Sequence, residues 1–223
     1  MDLAKEELSP RLMTVVSLIP ECRTVIDVGS DHGKLGAWCL SAKRCRSLVA
    51  TDIHEAPAKR TGDYLRLCGF SGESSVLCTD GLTGVDVSDD TTIVIAGMGG
   101  LEIRKILQCF LQRIEELPSD LTFVLQPQRS FYELRAFLTE HGLAIREEAI
   151  ALERGHFYTV MKVVPDKGVK ELSDAELFLG PYLLSQKPPH FKEYMNHQHG
   201  VLEKQALGDV RCRNVLEQWE ALL

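Results

Sequence analysis

Thr24-Val25-Ile26-Asp27-Val28-Gly29-Ser30-Asp31-His32-Gly33 is the stretch from which the fold can be read. β-branched residues open it, an acid interrupts them and two glycines follow. With the apolar run 35–40 behind it, the pattern is a strand, a tight turn and the start of a helix. Glycine at such a turn lets the backbone approach a ligand, because no side chain holds it away. The spacing is Asp27-x-Gly29-x-Asp31-x-Gly33, whereas the dinucleotide fingerprint is G-x-G-x-x-G with its acid one strand later. Here the acid stands at the strand end, ahead of any glycine. That order suits a nucleoside with an amino-acid tail better than a pyrophosphate. A purely structural strand-to-helix turn has the same local pattern.

Outward from this turn, strands and helices alternate. A helix over 10–19 carries Ser9 as N-cap and Pro10 in its first turn, and Pro20 stops it. Strands are expected over 24–28, 47–51, 75–79, 91–96 and 121–125. Helices are expected over 34–42, 56–68, 101–114 and 131–141. Two further strands, 143–150 and 156–164, flank the hairpin turn Glu153-Arg154-Gly155. This order predicts an open α/β sheet, parallel in its first strands, with an antiparallel edge. Residues 165–168 form a linker, and 171–223 read as helices broken at Gly180-Pro181, Lys187-Pro188-Pro189 and Gly208, with one last helix over 210–222. The division is a sheet domain over 1–165 and a helical domain over 166–223. The helical tail is too small to fold well alone. It reads equally as a packing appendage, a dimer surface or a substrate-binding element.

Ligands of open α/β sheets bind outside the C-terminal strand ends. The marked residues fall there: Asp27 to Gly33, Asp52, Asp80-Gly81, Gly97-Met98-Gly99-Gly100 and Gln126-Pro127-Gln128. Asp52, at the end of the second strand, suits ribose hydroxyls, with a helix N-cap as its alternative. Asp80 suits an adenine amino group, with an ordinary Asp-Gly turn as its alternative.

Composition sets bounds. The chain has 223 residues, 44% hydrophobic and 26% charged, values of a globular protein. A formal charge of −7 argues against non-specific coating of nucleic acid and leaves room for a local basic face. No apolar run reaches membrane-spanning length, and residues 1–7 are mixed in charge, which predicts a soluble, cytoplasmic protein. Seven cysteines without a C-x-x-C pair suggest reduced, mostly buried thiols and no metal.

The strand-end set resembles the class I S-adenosylmethionine (SAM) methyltransferase core. Leu8-Ser9-Pro10-Arg11-Leu12, Gly29-Ser30-Asp31-His32, Asp80-Gly81-Leu82, Ala96-Gly97-Met98-Gly99-Gly100 and Gln126-Pro127-Gln128 take the likeness further, to the bacterial TrmK family, tRNA (adenine-22, N1) methyltransferases. That resemblance implies a Rossmann-like SAM domain, a C-terminal helical, coiled-coil-like domain, and tRNA with SAM and its product S-adenosylhomocysteine (SAH) as partners. Two departures are Gly33-Lys34-Leu35-Gly36, where the family usually has Ala-Tyr-Leu-Pro, and Gln128, where it usually has Asn.

On this reading Asp27, Gly29, Ser30, Gly33, Asp52, Ile53, Asp80, Gly81, Ala96 and Gly97 hold the cofactor. Asp31 is the candidate catalytic carboxylate, with a helix-capping role as its alternative. Arg11, Lys34, Met98, Gly99, Gly100, Arg104, Gln126, Pro127 and Arg129 face the acceptor base or the tRNA. Lys59, Arg60 and Lys105 are further phosphate contacts, and His32 reads as structural. The expected assembly is a monomer or weak homodimer. Competing functions are SAM-dependent methylation of another acceptor and a non-catalytic nucleotide- or RNA-binding module.

Overall fold

The computed structural model describes residues 8–223, so the mixed-charge stretch 1–7 lies outside the described residues. One seven-stranded sheet runs in the order β3-β2-β1-β4-β5-β7-β6. β1 (Thr24–Val28), β2 (Ser47–Asp52), β3 (Ser74–Cys78), β4 (Thr91–Met98) and β5 (Thr122–Pro127) are parallel. β6 (Leu143–Glu153) and β7 (His156–Pro165) form the expected hairpin, and β7 pairs antiparallel with β5. The chain leaves β1 for β2 and β3, then returns to place β4 on the other side of β1. That reversal opens a crevice at the C-terminal ends of β1 and β4, between Gly29 and Gly97.

The period-two side-chain alternation of the strands builds two apolar layers. Ile26, Ile93, Ile95, Phe123 and Leu125 face one core with Phe110 and Phe137. Val25, Val94 and Val124 face the other with Val16, Leu40 and Leu48. Both faces of the central strands are therefore covered by helices: α1 (Pro10–Ser17), α2 (Lys34–Ser41), α3 (Glu55–Leu67), α4 (Gly100–Leu111) and α5 (Phe131–Glu140). The Ser9 hydroxyl accepts from Leu12 N, as its N-cap position predicts.

The tail comprises α6 (Asp174–Leu179), α7 (Pro181–Gln186), α8 (Phe191–Gln205), α9 (Val210–Glu217) and α10 (Trp219–Leu222). A reciprocal Ser173–Glu176 capping box starts α6. The single helix expected over 210–222 is interrupted at Gln218. The tail has its own core around Leu179, Leu183, Phe191, Tyr194, Met195 and Leu202, and Ile150 of β6 belongs to it. A buried ion pair fastens this unit to the sheet. Arg135 of α5 donates from Nε and Nη2 to Glu148 Oε1 at 3.1 and 2.9 Å, and from Nη1 to the Leu177 and Phe178 carbonyls. Glu148 Oε2 accepts from Tyr182 N, the start of α7, at 3.0 Å. The carbonyl end of α6 and the amide end of α7 are thus satisfied by one guanidinium and one carboxylate. The tail is docked, not projecting.

Among the described residues no helix is long and apolar enough to cross a membrane, and no group of three or more His, Cys, Asp or Glu could hold a metal ion. None of the seven cysteines forms a disulfide among the described residues. Cys39, Cys45 and Cys212 are buried, whereas Cys78 and Cys109 are exposed, so burial is less general than composition suggested.

Candidate active site

Gly29 carries φ +73° and donates from N to Thr51 O at 2.8 Å, tying the turn after β1 to β2. A Cβ there would lie 2.2 Å from Met98 Cε. Asp31 (φ +49°) and Gly33 (φ +68°) complete the turn, and the buried Thr61 of α3 holds it through Ser30 Oγ at 3.1 Å and Asp31 O at 3.2 Å. The turn is therefore left-handed at three positions and bound to two neighbouring elements.

Two clefts meet above Gly29, Ala96 and Gly97. One, of about 250 Å³, is lined by Asp52, Ile53, Asp80, Gly81 and Met98. The other, of about 320 Å³, is lined by Arg11, Asp27, Ser30, Asp31, His32, Lys34 and Gln128. Together they form an elongated trough across the strand ends. Asp27 is its most unusual group. It is 5% exposed, and no hydrogen bond reaches its carboxylate among the described residues. Burial pushes its carboxyl up to about 7. A cationic ligand group in the trough would supply the missing partner.

Asp52 accepts from His54 N at 3.0 Å through one oxygen. The N-cap of α3 is His54, which makes no side-chain cap bond, so Asp52 does not cap that helix. Thr51 Oγ1 donates to Gly81 O at 2.9 Å and fixes the β3 end beside it. Ile53 is 57% exposed, an apolar surface at the trough edge. Asp31 is not a helix cap either, because Gly33 is the N-cap of α2. Its exposed carboxylate lies 3.2 Å from Arg60 Nη2 and 3.3 Å from His32 Nε2. His32, expected to be structural, is exposed at the mouth of the trough.

Several acceptor-side expectations need correction. Gln126 is fully buried and Pro127 is buried at the end of β5, so neither reaches a large ligand. The register of β4 against β5 shifts at Gly97, whose φ is +81°. Gln126 Oε1 takes up the Gly97 N–H that this bulge frees, at 3.1 Å, and also accepts from Arg11 Nη1 at 2.9 Å. Its role is to hold Arg11 and Gly97 in place. Met98 lies over Gly29, in the cleft of Asp52 and Asp80, rather than toward the acceptor side. Gly99 and Gly100 line neither cleft. A Cβ on Gly100 would lie 2.5 Å from Ser130 O, so the start of α4 needs glycine to pass the 129–130 backbone. Arg104 lies over the Phe137 ring at 5.6 Å, outside both clefts. Arg129 is exposed beside a third cleft.

Sequence reasoning missed Glu153. Its Oε2 accepts from Arg11 N at 3.0 Å, and that bond with the Ser9 hydroxyl holds its carboxyl below the usual range. The hairpin tip thereby positions α1, and the Arg11 guanidinium extends over the Tyr158 ring at 5.7 Å. No local pattern signals a contact 142 residues apart.

Known proteins resemble this chain in sequence and fold. The family described as a methyltransferase domain matches residues 8–161. A Bacillus subtilis (strain 168) protein named tRNA (adenine(22)-N(1))-methyltransferase is 27% identical over 89% of this chain and 85% of its own length. The chain belongs to the TrmK methyltransferase family. A Mycoplasma pneumoniae protein named "Putative tRNA methyltransferase" is 30% identical over 78% of this chain and 80% of its own length. A crystal structure of a Streptococcus pneumoniae protein, described as "a putative tRNA (m1A22) methyltransferase, in complex with S-adenosyl-L-methionine", superposes with a TM-score of 0.84. It is 26% identical and covers 97% of this chain and 100% of its own. The TrmK match thus extends through the C-terminal helices as well as the sheet.

Proposed function

We propose that the chain transfers the methyl group of SAM to N1 of an adenine in tRNA, at position 22. The observation that carries this reading is the solitary buried carboxylate of Asp27 at the left-handed Gly29 turn, inside a trough continuous with Asp52 and Asp80. SAM has an ammonium group for Asp27, ribose hydroxyls for Asp52 and an adenine for Asp80 and Ile53, so the residues present fit it. Gly29, Gly81 and Gly97 take left-handed backbone that glycine adopts without strain, and with Ser30 of the first turn and Ala96 of β4 they line the trough, while Gly33 closes that turn. When bound, the cofactor supplies an electrophilic methyl group.

The chain's own task is then to bring the base into line and to exclude water. Adenine N1 attacks with its lone pair, so no strong base is required. The ring becomes cationic, and Asp31 is placed at the trough mouth to accept from the exocyclic amine and stabilise that charge. Arg60 and His32 orient the carboxylate. N1 lies on the Watson–Crick edge, so the target base must be unpaired or extruded. Arg11 and Lys34 line the acceptor side and serve the ribose-phosphate of the target nucleotide. A cytoplasmic setting and action on tRNA belong to the same proposal.

The test is incubation of the protein with methyl-labelled SAM and unmodified tRNA, then digestion to nucleosides. Label in 1-methyladenosine is expected. Label in N6-methyladenosine, or none in tRNA, contradicts the proposal.

A further inference from the structure

The third cleft lies outside the trough. It occupies about 660 Å³ between the start of α5, strand β7 and helices α8 and α9. Neither the fold nor the methyl transfer described above uses it. We propose that this cleft is a nucleotide subsite, taking one unpaired nucleotide of the RNA substrate that neighbours the target adenine. The proposal rests on the tRNA reading given above.

Four observations carry it. First, the walls present aromatic rings that are only partly covered. Phe157 lies 5.6 Å from the His197 ring, and Tyr132 packs at 4.6 Å on Phe178. Exposed aromatic faces are the common platform for an unstacked base. Second, the lining carries amides. Gln128, Gln198 and Gln205 line the cleft, and their side chains offer a base edge both donors and acceptors. Third, cations stand at the rim. The Arg211 guanidinium lies 4.4 Å above the Tyr132 ring, held there by Asp209, and Arg129 is exposed on the other side. Fourth, Gln128 lines both this cleft and the acceptor side of the trough, so the two are adjacent openings on one face.

These features also select the occupant. Glu133 and Asp209 balance Arg129 and Arg211, so the cleft is not a trap for a free, doubly charged nucleotide. It suits a base stacked on aromatic rings and delivered by a chain already bound next door. The volume lies within the usual range for small-ligand sites and accommodates one nucleotide. The helical tail, with nine Asp and Glu against seven Lys and Arg over 166–223, then contributes by completing a pocket rather than by gripping phosphates.

The test compares wild type with Phe157→Ala and Gln198→Trp. Phe157 also packs near Tyr194, so its loss can disturb the tail core. Gln198→Trp instead fills the cleft from a half-exposed position on α8 and removes no core side chain. KM for tRNA, kcat, SAM affinity and thermal unfolding are measured for each. The expected result is a rise in KM for tRNA of about tenfold to a hundredfold, the size of one lost base stack, with SAM affinity and melting of Gln198→Trp unchanged. An unchanged KM in Gln198→Trp overturns the subsite while leaving the methyltransferase reading intact. Failure of wild type to methylate tRNA overturns both. Inhibition by millimolar adenosine or guanosine monophosphate that Gln198→Trp abolishes, with KM for tRNA unchanged, assigns the cleft to a free nucleotide and also overturns the proposal.

Discussion

Replacing Asp27 with asparagine removes a titrating group from a buried part of the trough. In the folded, cofactor-free protein its pKa is about 7, against 3.8 for an ordinary aspartate. The cause is desolvation, with no partner among the described residues to offset it. A gap of roughly three pH units corresponds to about 4 kcal/mol. The sign follows from proton binding. Below about pH 4 the carboxyl is protonated in both folded and unfolded chains and costs nothing. As pH rises toward 7 the unfolded chain releases its proton while the folded one retains it. Stability therefore falls across this window and levels off above about pH 7. Asparagine keeps the shape and never ionises. Urea unfolding of the cofactor-free protein should show Asp27→Asn gaining about 2–3 kcal/mol on wild type between pH 5 and pH 8. SAM reverses the ranking, because its ammonium stabilises the ionised form. Wild-type affinity for SAM should rise from pH 6 to pH 8 with release of a proton, while the variant binds weakly at both. An identical pH dependence of stability in the two proteins would refute the reasoning.

Three further substitutions separate the remaining roles. Asp31→Ala should leave SAM affinity unchanged and lower kcat at least tenfold, as stopped labelled-methyl assays would report; undiminished turnover removes Asp31 from the mechanism. Asp52→Ala should weaken SAM binding severalfold in calorimetry without lowering the unfolding midpoint, since Asp52 caps no helix. Glu148→Ala leaves the Arg135 guanidinium buried without its partner and frees the Tyr182 N–H, so it should cost about 3–5 kcal/mol and lower Tm by roughly 10 °C. A loss below about 1 kcal/mol in that variant would mean the ion pair does not fasten the tail.

The sheet was readable because its signals are local. Val25, Ile26 and Val28 alternate between two cores around one acid, and Gly29 and Gly97 mark where the backbone turns left-handed. The hairpin turn at Glu153-Arg154-Gly155 likewise carries its own chemistry: Arg154 and Gly155 both have positive φ. Long-range pairing was not readable. Nothing near Arg135 or Glu148 announces that they meet under α6 and α7. Gln126 illustrates the characteristic error. A polar residue at a strand end looks like a ligand contact, yet here its amide satisfies a bulge donor and holds Arg11. Gly99 and Gly100 show the same ambiguity, for glycine serves a chain crossing as readily as a ligand.

A methyl group on adenine N1 blocks Watson–Crick pairing, and that property gives the most direct test of the central claim. Unmodified tRNA transcripts with adenine or guanine at position 22 are incubated with the protein and SAM, then copied by reverse transcriptase. The account predicts a strong stop one nucleotide before position 22 in the adenine transcript and none in the guanine transcript. Full-length copies of both, or a stop at another position, would contradict it.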